Sequence, residues 1–119
     1  LSQDGVENCL EKFPVTLLLA VDCGSTAVPT VAWLKARGVD VIVLDHHLMA
    51  GPPPKARAVV NPNRLDDTSG QGHLTAAGVV LVTLAAVNRE ARRRGSTSGS
   101  TRGRSFASSV PTERGRAPP

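Results

Sequence analysis

Two places in this 119-residue chain combine side chains that can bind a divalent metal ion. Asp22 directly follows one apolar run, and Asp45, His46 and His47 directly follow another. Carboxylates together with imidazoles suit Mn²⁺, Mg²⁺-like ions and Zn²⁺ without any need for thiolates. Asp22 alone leaves a second interpretation open, because an aspartate at a strand end also caps helices or binds loop backbone. The chain has three histidines, and two of them are adjacent at the end of the second run. This concentration at one strand end favours metal coordination.

The two apolar runs, residues 15–21 and 39–44, are predicted to be strands. They are apolar at nearly every position instead of alternating, which is typical of parallel strands covered on both faces. Between them lies a predicted helix, capped by Thr26 and ended at Gly38, with apolar residues at i, i+4 and i+7: Ala27, Val31 and Leu34. A strand, a helix and a strand form a right-handed βαβ unit. Both strand-terminal aspartates are therefore expected at one sheet edge, where α/β proteins place their ligand sites.

The remaining elements complete an α/β fold, predicted as a partial doubly wound parallel sheet: the βαβ unit, a third strand and a long helix. A helix is expected to end within residues 6–13, the third strand to span 56–60, and the long helix 73–94. Residues 1–94 are the predicted folded domain. His73 is expected to help begin the long helix, and Asp66 and Asp67 to be solvated loop residues.

Residues 95–119 are predicted to be a disordered, basic tail rich in Ser, Gly, Arg and Pro. Residues 96–119 hold four arginines against one acidic residue, Glu113, which suits phosphate contacts as well as a solvated end. The change of composition at Gly95 has two interpretations, a natural linker or a shifted reading frame, and we favour the second. The two cysteines form no disulfide or zinc pattern, and the longest apolar run, 76–87, is shorter than the roughly 20 residues that span a bilayer. A cytoplasmic protein with no membrane partner is expected.

Four ordered motifs resemble the DHH phosphoesterase superfamily, and its RecJ-type branch in particular. They are Val21-Asp22-Cys23-Gly24, Leu44-Asp45-His46-His47, Asn61-Pro62-Asn63-Arg64 and the segment from Gly72 to Val79. The first two resemble the second and third signature motifs of the superfamily. The last two are similar to the RecJ branch.

This resemblance implies a metal-dependent enzyme that uses two Mn²⁺ or Mg²⁺ ions. Asp22 would bridge the two ions, and His46 would be a direct ligand. His47 would approach the scissile phosphate or support the coordination, and Asp45 would orient a histidine. The implied catalytic residues are Asp22, His46 and His47, and Asp45 and His47 would support the metal ligands.

The resemblance further implies a substrate, single-stranded DNA degraded from 5′ to 3′, and single-strand-binding protein as a partner. Asn61 and Arg64 are the predicted substrate-binding residues. The family's first motif, a pair of aspartates, and its fourth, an aspartate in a strand, are not found in this sequence. The chain is therefore interpreted as a fragment that is inactive by itself. The alternatives are another DHH phosphoesterase, acting on pyrophosphate, oligonucleotides or cyclic dinucleotides, and a non-catalytic phosphate- or nucleotide-binding domain.

Overall fold

A computed structural model describes residues 1–97, and within them the predicted α/β architecture is confirmed. The chain forms three helices and three strands, in the order α1 (Gln3–Lys12), β1 (Leu17–Val21), α2 (Val28–Ala36), β2 (Asp40–Leu44), β3 (Ala58–Val60) and α3 (Ala76–Thr97). The long helix was predicted to end at residue 94, but α3 includes residues 95–97 of the predicted tail. The predicted disorder of residues 98–119 lies outside the described residues. In residues 1–97 no helix is long and apolar enough to cross a membrane.

The three strands form one parallel sheet in the order β1-β2-β3. Val21, the last residue of β1, pairs with Leu44, the last residue of β2, and Leu44 also pairs with Val60 at the end of β3. The carboxyl ends of all three strands therefore lie level at one edge. Asp22, which follows β1, and Asp45, which follows β2, leave the sheet side by side, as the βαβ interpretation predicts.

One core cluster holds these elements together. The alternate residues Val41 and Val43 of β2 pack with Val31 and Leu34 of α2, and α1 adds the buried Val6. Leu34 and Val43 have no exposed surface at all. Burying an aliphatic side chain of this size stabilises the fold by about 1.5–3 kcal/mol. This apolar packing fixes the sheet from which the polar loops leave.

The prediction that the first strand is covered on both faces is wrong for the part of the chain that the structure describes. Ala20 is buried, but Leu17, Leu19 and Val21 are 53%, 56% and 43% exposed. β1 is an edge strand here, and no described element packs over the face that carries these three side chains. Burial on both faces depends on elements that neighbour the strand in space, which an apolar run cannot reveal.

Two local predictions also need correction. Thr26 does not cap α2: the N-cap residue is Ala27, which makes no side-chain capping bond, and Pro29 in the first turn has no N–H to be capped. His73 lies in the turn before α3 and does not begin it. The hydroxyl of Thr75 instead accepts a hydrogen bond from the N–H of Gly78.

Candidate metal centre

Asp22 stands in an unusual backbone conformation at the end of β1. Its φ is 62°, and no other described residue except glycine has a positive φ. The N–H of Asp22 still donates to the carbonyl of Leu44 at 3.0 Å, so the turn begins directly after the last strand pairing. Asparagine and aspartate tolerate this left-handed region better than other side chains. The turn leaves the carboxylate of Asp22 61% exposed at the strand edge.

Asp45 is a buried carboxylate whose oxygens are fully used by its neighbours. One oxygen accepts from the N–H of Ser25 at 3.1 Å, and the other accepts from the N–H of His46 at 2.8 Å and from that of His47 at 3.4 Å. Burial by itself would raise the pKa of Asp45, but these bonds and the ring contact of His47 outweigh it and hold that pKa well below its usual range. Asp45 is therefore an anion at neutral pH, and its hydrogen bonds join the loop after β1 to the loop after β2.

The ring of His47 is held by Asp45 and faces solvent. Its Nδ1 lies 2.6 Å from Oδ1 of Asp45, while the side chain is 58% exposed. The hydrogen bond to this carboxylate, helped by its charge, raises the pKa of His47 above the ordinary value of 6.5. With Nδ1 donating to Asp45, the Nε2 atom points away from that contact and is free to act on a ligand. The expected role of Asp45, orienting a histidine, agrees with this geometry.

His46 reaches the other carboxylate. Its Nε2 lies 3.0 Å from Oδ1 of Asp22, and its ring centroid is 4.6 Å from that of His47. The four side chains of Asp22, Asp45, His46 and His47 each offer one ligand atom, and all four atoms lie within 4.8 Å of one another. Two carboxylates and two imidazoles at this spacing fit a divalent cation of the Mn²⁺ or Mg²⁺ kind. Asp22 and His47 are the exposed members of the cluster, whereas His46 is half-buried and Asp45 is buried.

The two predicted substrate-binding residues are occupied by the protein itself. Asn61 is 2% exposed, and its amide donates to Oγ of Ser25 at 2.8 Å and to the carbonyl of His47 at 2.9 Å. Arg64 forms a two-pronged ion pair with Asp66, at 2.8 and 2.7 Å, and a third bond to the carbonyl of Val59. Substrate contact by Asn61 or Arg64 stays a prediction that these contacts do not favour.

Two further residues, Ser25 and Asn63, hold the site and were not predicted from the sequence. Buried Ser25 links the carboxylate of Asp45 to the amide of Asn61. Asn63 donates to the carbonyl of His46 at 2.6 Å. The two asparagines gave a signal for the turn that places Asn63. An asparagine often accepts a hydrogen bond from the N–H two residues later, as Asn61 does from Asn63 at 2.8 Å. Asp66 and Asp67 are exposed loop residues outside the cluster, as expected, and His73 is exposed and lies outside the cluster as well.

The family model described as "DHH family, N-terminal domain" matches residues 2–100 of this chain. This chain belongs to the DHH family. Among curated proteins, it is 38% identical over 95 residues to the single-stranded-DNA-specific exonuclease RecJ of Haemophilus influenzae, which covers 80% of this chain. It is 35% identical over 79 residues to the RecJ of Salmonella typhimurium and 33% identical over 79 residues to that of Escherichia coli, which cover 66% of the chain.

These matches identify a RecJ-type DHH chain, as the motifs predict. The chain spans 16% of the length of the Haemophilus relative and 14% of the Salmonella one. No solved structure matches it. Because the DHH match covers both aspartates and both histidines, the cluster at the sheet edge lies inside the family domain.

Proposed function

We propose that this chain carries part of the metal centre of an exonuclease that hydrolyses single-stranded DNA from 5′ to 3′ with Mn²⁺ or Mg²⁺. The observation that carries the proposal is the cluster of two carboxylates and two imidazoles, with ligand atoms within 4.8 Å, at the carboxyl edge of a parallel sheet. Membership of the DHH family, and similarity to single-stranded-DNA-specific exonucleases, support the choice of substrate.

Each residue of the cluster has a role that follows from its contacts. Asp22 and His46 hold the metal, because the Asp22 side chain is exposed and its Oδ1 already lies 3.0 Å from Nε2 of His46. Asp45 stays anionic and fixes the ring of His47 through Nδ1. The same carboxylate raises the pKa of His47, and the protonated ring carries an N–H at Nε2 as well, which can donate to a phosphate oxygen.

A divalent ion bound by Asp22 and His46 would supply an activated water and would polarise the phosphoryl oxygens of the substrate. The protein's own part is to keep both ligands in place before the ion arrives. Asp22 is set by its left-handed turn, and His46 by the backbone that follows β2. Such preorganisation lowers the cost of forming the reactive geometry.

The isolated chain is expected to release almost no nucleotides from DNA. Of its two carboxylates in the cluster, Asp45 is buried and uses both oxygens within the protein, so Asp22 is the one left to bind an ion. One free carboxylate compensates little of the charge of two divalent cations. For the whole protein we propose a cytoplasmic location and single-strand-binding protein as a partner.

The test is a chimera of the Haemophilus RecJ in which this chain's own sequence replaces the matching 95-residue segment. We expect Mn²⁺-dependent release of mononucleotides from 5′-labelled single-stranded DNA, and much slower release from duplex DNA. Asp22→Asn and His46→Ala in the chimera should each remove most of this activity. His73→Ala is the matched control for the histidine change, because His73 is exposed and lies outside the cluster.

Two outcomes would contradict the proposal. A folded chimera that binds Mn²⁺ but cleaves neither single-stranded DNA nor short oligonucleotides would favour a non-catalytic phosphate-binding domain. Unchanged cleavage by the Asp22→Asn chimera would show that this carboxylate has no part in the reaction.

A further inference from the structure

The peptide group between His46 and His47 is held at both ends by side chains, that of Asn63 from the loop after β3 and that of the preceding Asp45. Its carbonyl, which belongs to His46, accepts a hydrogen bond from Nδ2 of Asn63 at 2.6 Å. Its N–H, which belongs to His47, donates to Oδ1 of Asp45 at 3.4 Å. The next carbonyl, that of His47, accepts from Nδ2 of Asn61 at 2.9 Å. The backbone that carries both imidazoles is therefore fixed from two sides.

The two asparagines that hold these carbonyls act as one unit. Oδ1 of Asn61 accepts from the backbone N–H of Asn63 at 2.8 Å, so the side chain of the first fixes the backbone of the second. Asn61 is buried, whereas Asn63 is only partly buried. Of the two, Asn63 is the residue that can be changed without opening the interior.

Gly72 braces Asn63 from the other side. Its carbonyl accepts a second hydrogen bond from Nδ2 of Asn63, at 3.1 Å. A Cβ at position 72 would lie 2.5 Å from Oδ1 of Asn63, closer than real Cβ atoms come to any neighbour. Gly72 does not have a positive φ, so this contact, and not its backbone conformation, is what requires glycine here.

We propose that Asn63, braced by Gly72, is a positioning residue of the metal centre: by holding the carbonyl of His46 it sets where the imidazole of His46 stands relative to Asp22. The proposal rests on the proposed function, because it assigns a role toward the same metal site. Asn63 touches neither metal nor substrate in this role. It acts through the backbone of His46, 17 residues away in the sequence.

The experiment measures Mn²⁺ binding by the 119-residue chain with electron paramagnetic resonance, which reports both the dissociation constant and the symmetry of the bound ion. The test variants are Asn63→Ala, which removes the donor, and Gly72→Ala, which displaces Asn63 without changing it. Their matched controls are Asn88→Ala, on the exposed surface of α3, and Gly51→Ala, where a Cβ would meet no atom within 4 Å.

Loss of a group that holds a metal ligand typically weakens metal affinity by about 10- to 100-fold. We expect a rise of the dissociation constant in that range for both test variants, a changed spectrum of the bound ion, and wild-type values for both controls. Circular dichroism and thermal melting of the metal-free proteins in EDTA establish that the comparison is made among folded chains.

The failures of the two proposals are distinguishable. Wild-type chain that binds no Mn²⁺ at millimolar concentration overturns the proposed metal centre, and the positioning role with it. Wild-type binding together with wild-type affinity in folded Asn63→Ala or Gly72→Ala overturns only the positioning role. Unfolding of both test variants would overturn it as well, because it would show that the contacts stabilise the fold as a whole.

Discussion

Replacement of Asp22 separates the metal-binding role of its carboxylate from the conformational role of its backbone. At φ 62° most L-residues are disfavoured by about 1–2 kcal/mol, whereas asparagine adopts this conformation routinely. The Asp22 side chain is 61% exposed, and its Oδ1 forms a hydrogen bond with Nε2 of His46. We therefore expect Asp22→Asn to change the free energy of unfolding by less than about 0.5 kcal/mol, and Asp22→Ala to lower it by about 1 kcal/mol.

Both substitutions remove the one exposed anion of the cluster, so both should weaken Mn²⁺ binding strongly. Loss of a group that only supports a ligand costs up to about 100-fold in affinity, and loss of the ligand itself should cost at least that, or about 2.7 kcal/mol. The assay is titration with Mn²⁺, combined with chemical denaturation of the metal-free chain. Wild-type affinity in Asp22→Asn would refute the assignment, and equal stability of the Asn and Ala variants would refute the argument from φ.

Two further predictions concern the supports of the site. In denaturation experiments Gly24→Ala should destabilise the chain by about 1–3 kcal/mol more than Gly38→Ala. Both glycines have a positive φ, but only a Cβ at position 24 would press on Val43, at 3.3 Å. Equal losses of stability would contradict this. In EDTA, wild type should exceed His47→Gln in melting temperature most between pH 3.8 and 6.5. Below that window Asp45, whose pKa is lowered, becomes protonated and its contribution to stability is lost. Above it His47, whose pKa is raised, loses its proton and the ion pair with it. A pH-independent difference in melting temperature would contradict this role of the pair.

The parallel sheet and the meeting of the strand-end residues are predictable from the sequence for a physical reason. An apolar run that ends in a polar residue marks the carboxyl end of a buried strand, and parallel strands bring those ends to one edge. Asp22, Asp45 and the two histidines therefore had to be near one another once the strand–helix–strand order was recognised. Their ligand atoms lie within 4.8 Å, which confirms that expectation.

The contacts that fix the site were not predictable in the same way. Asn61 reaches Ser25 across 36 residues of sequence and Asn63 reaches His46 across 17, and such pairings depend on the path of a loop that has no periodic pattern. The family resemblance implied that Asn61 and Arg64 bind a substrate, and nothing in the sequence indicated the protein groups that their side chains contact. The exposure of Leu19 was not predictable for the same reason, because it depends on which elements pack beside β1 and not on the sequence of β1 itself.

Binding of a catalytic divalent ion by Asp22 and His46 at the sheet edge is tested most directly by an anomalous difference map from crystals of the chain grown with Mn²⁺. We expect a peak within about 2.0–2.6 Å of a carboxylate oxygen of Asp22 and of Nε2 of His46, with the ring of His47 still held by Asp45. A manganese peak bound elsewhere, with these two side chains still paired to each other at 3.0 Å, would contradict it.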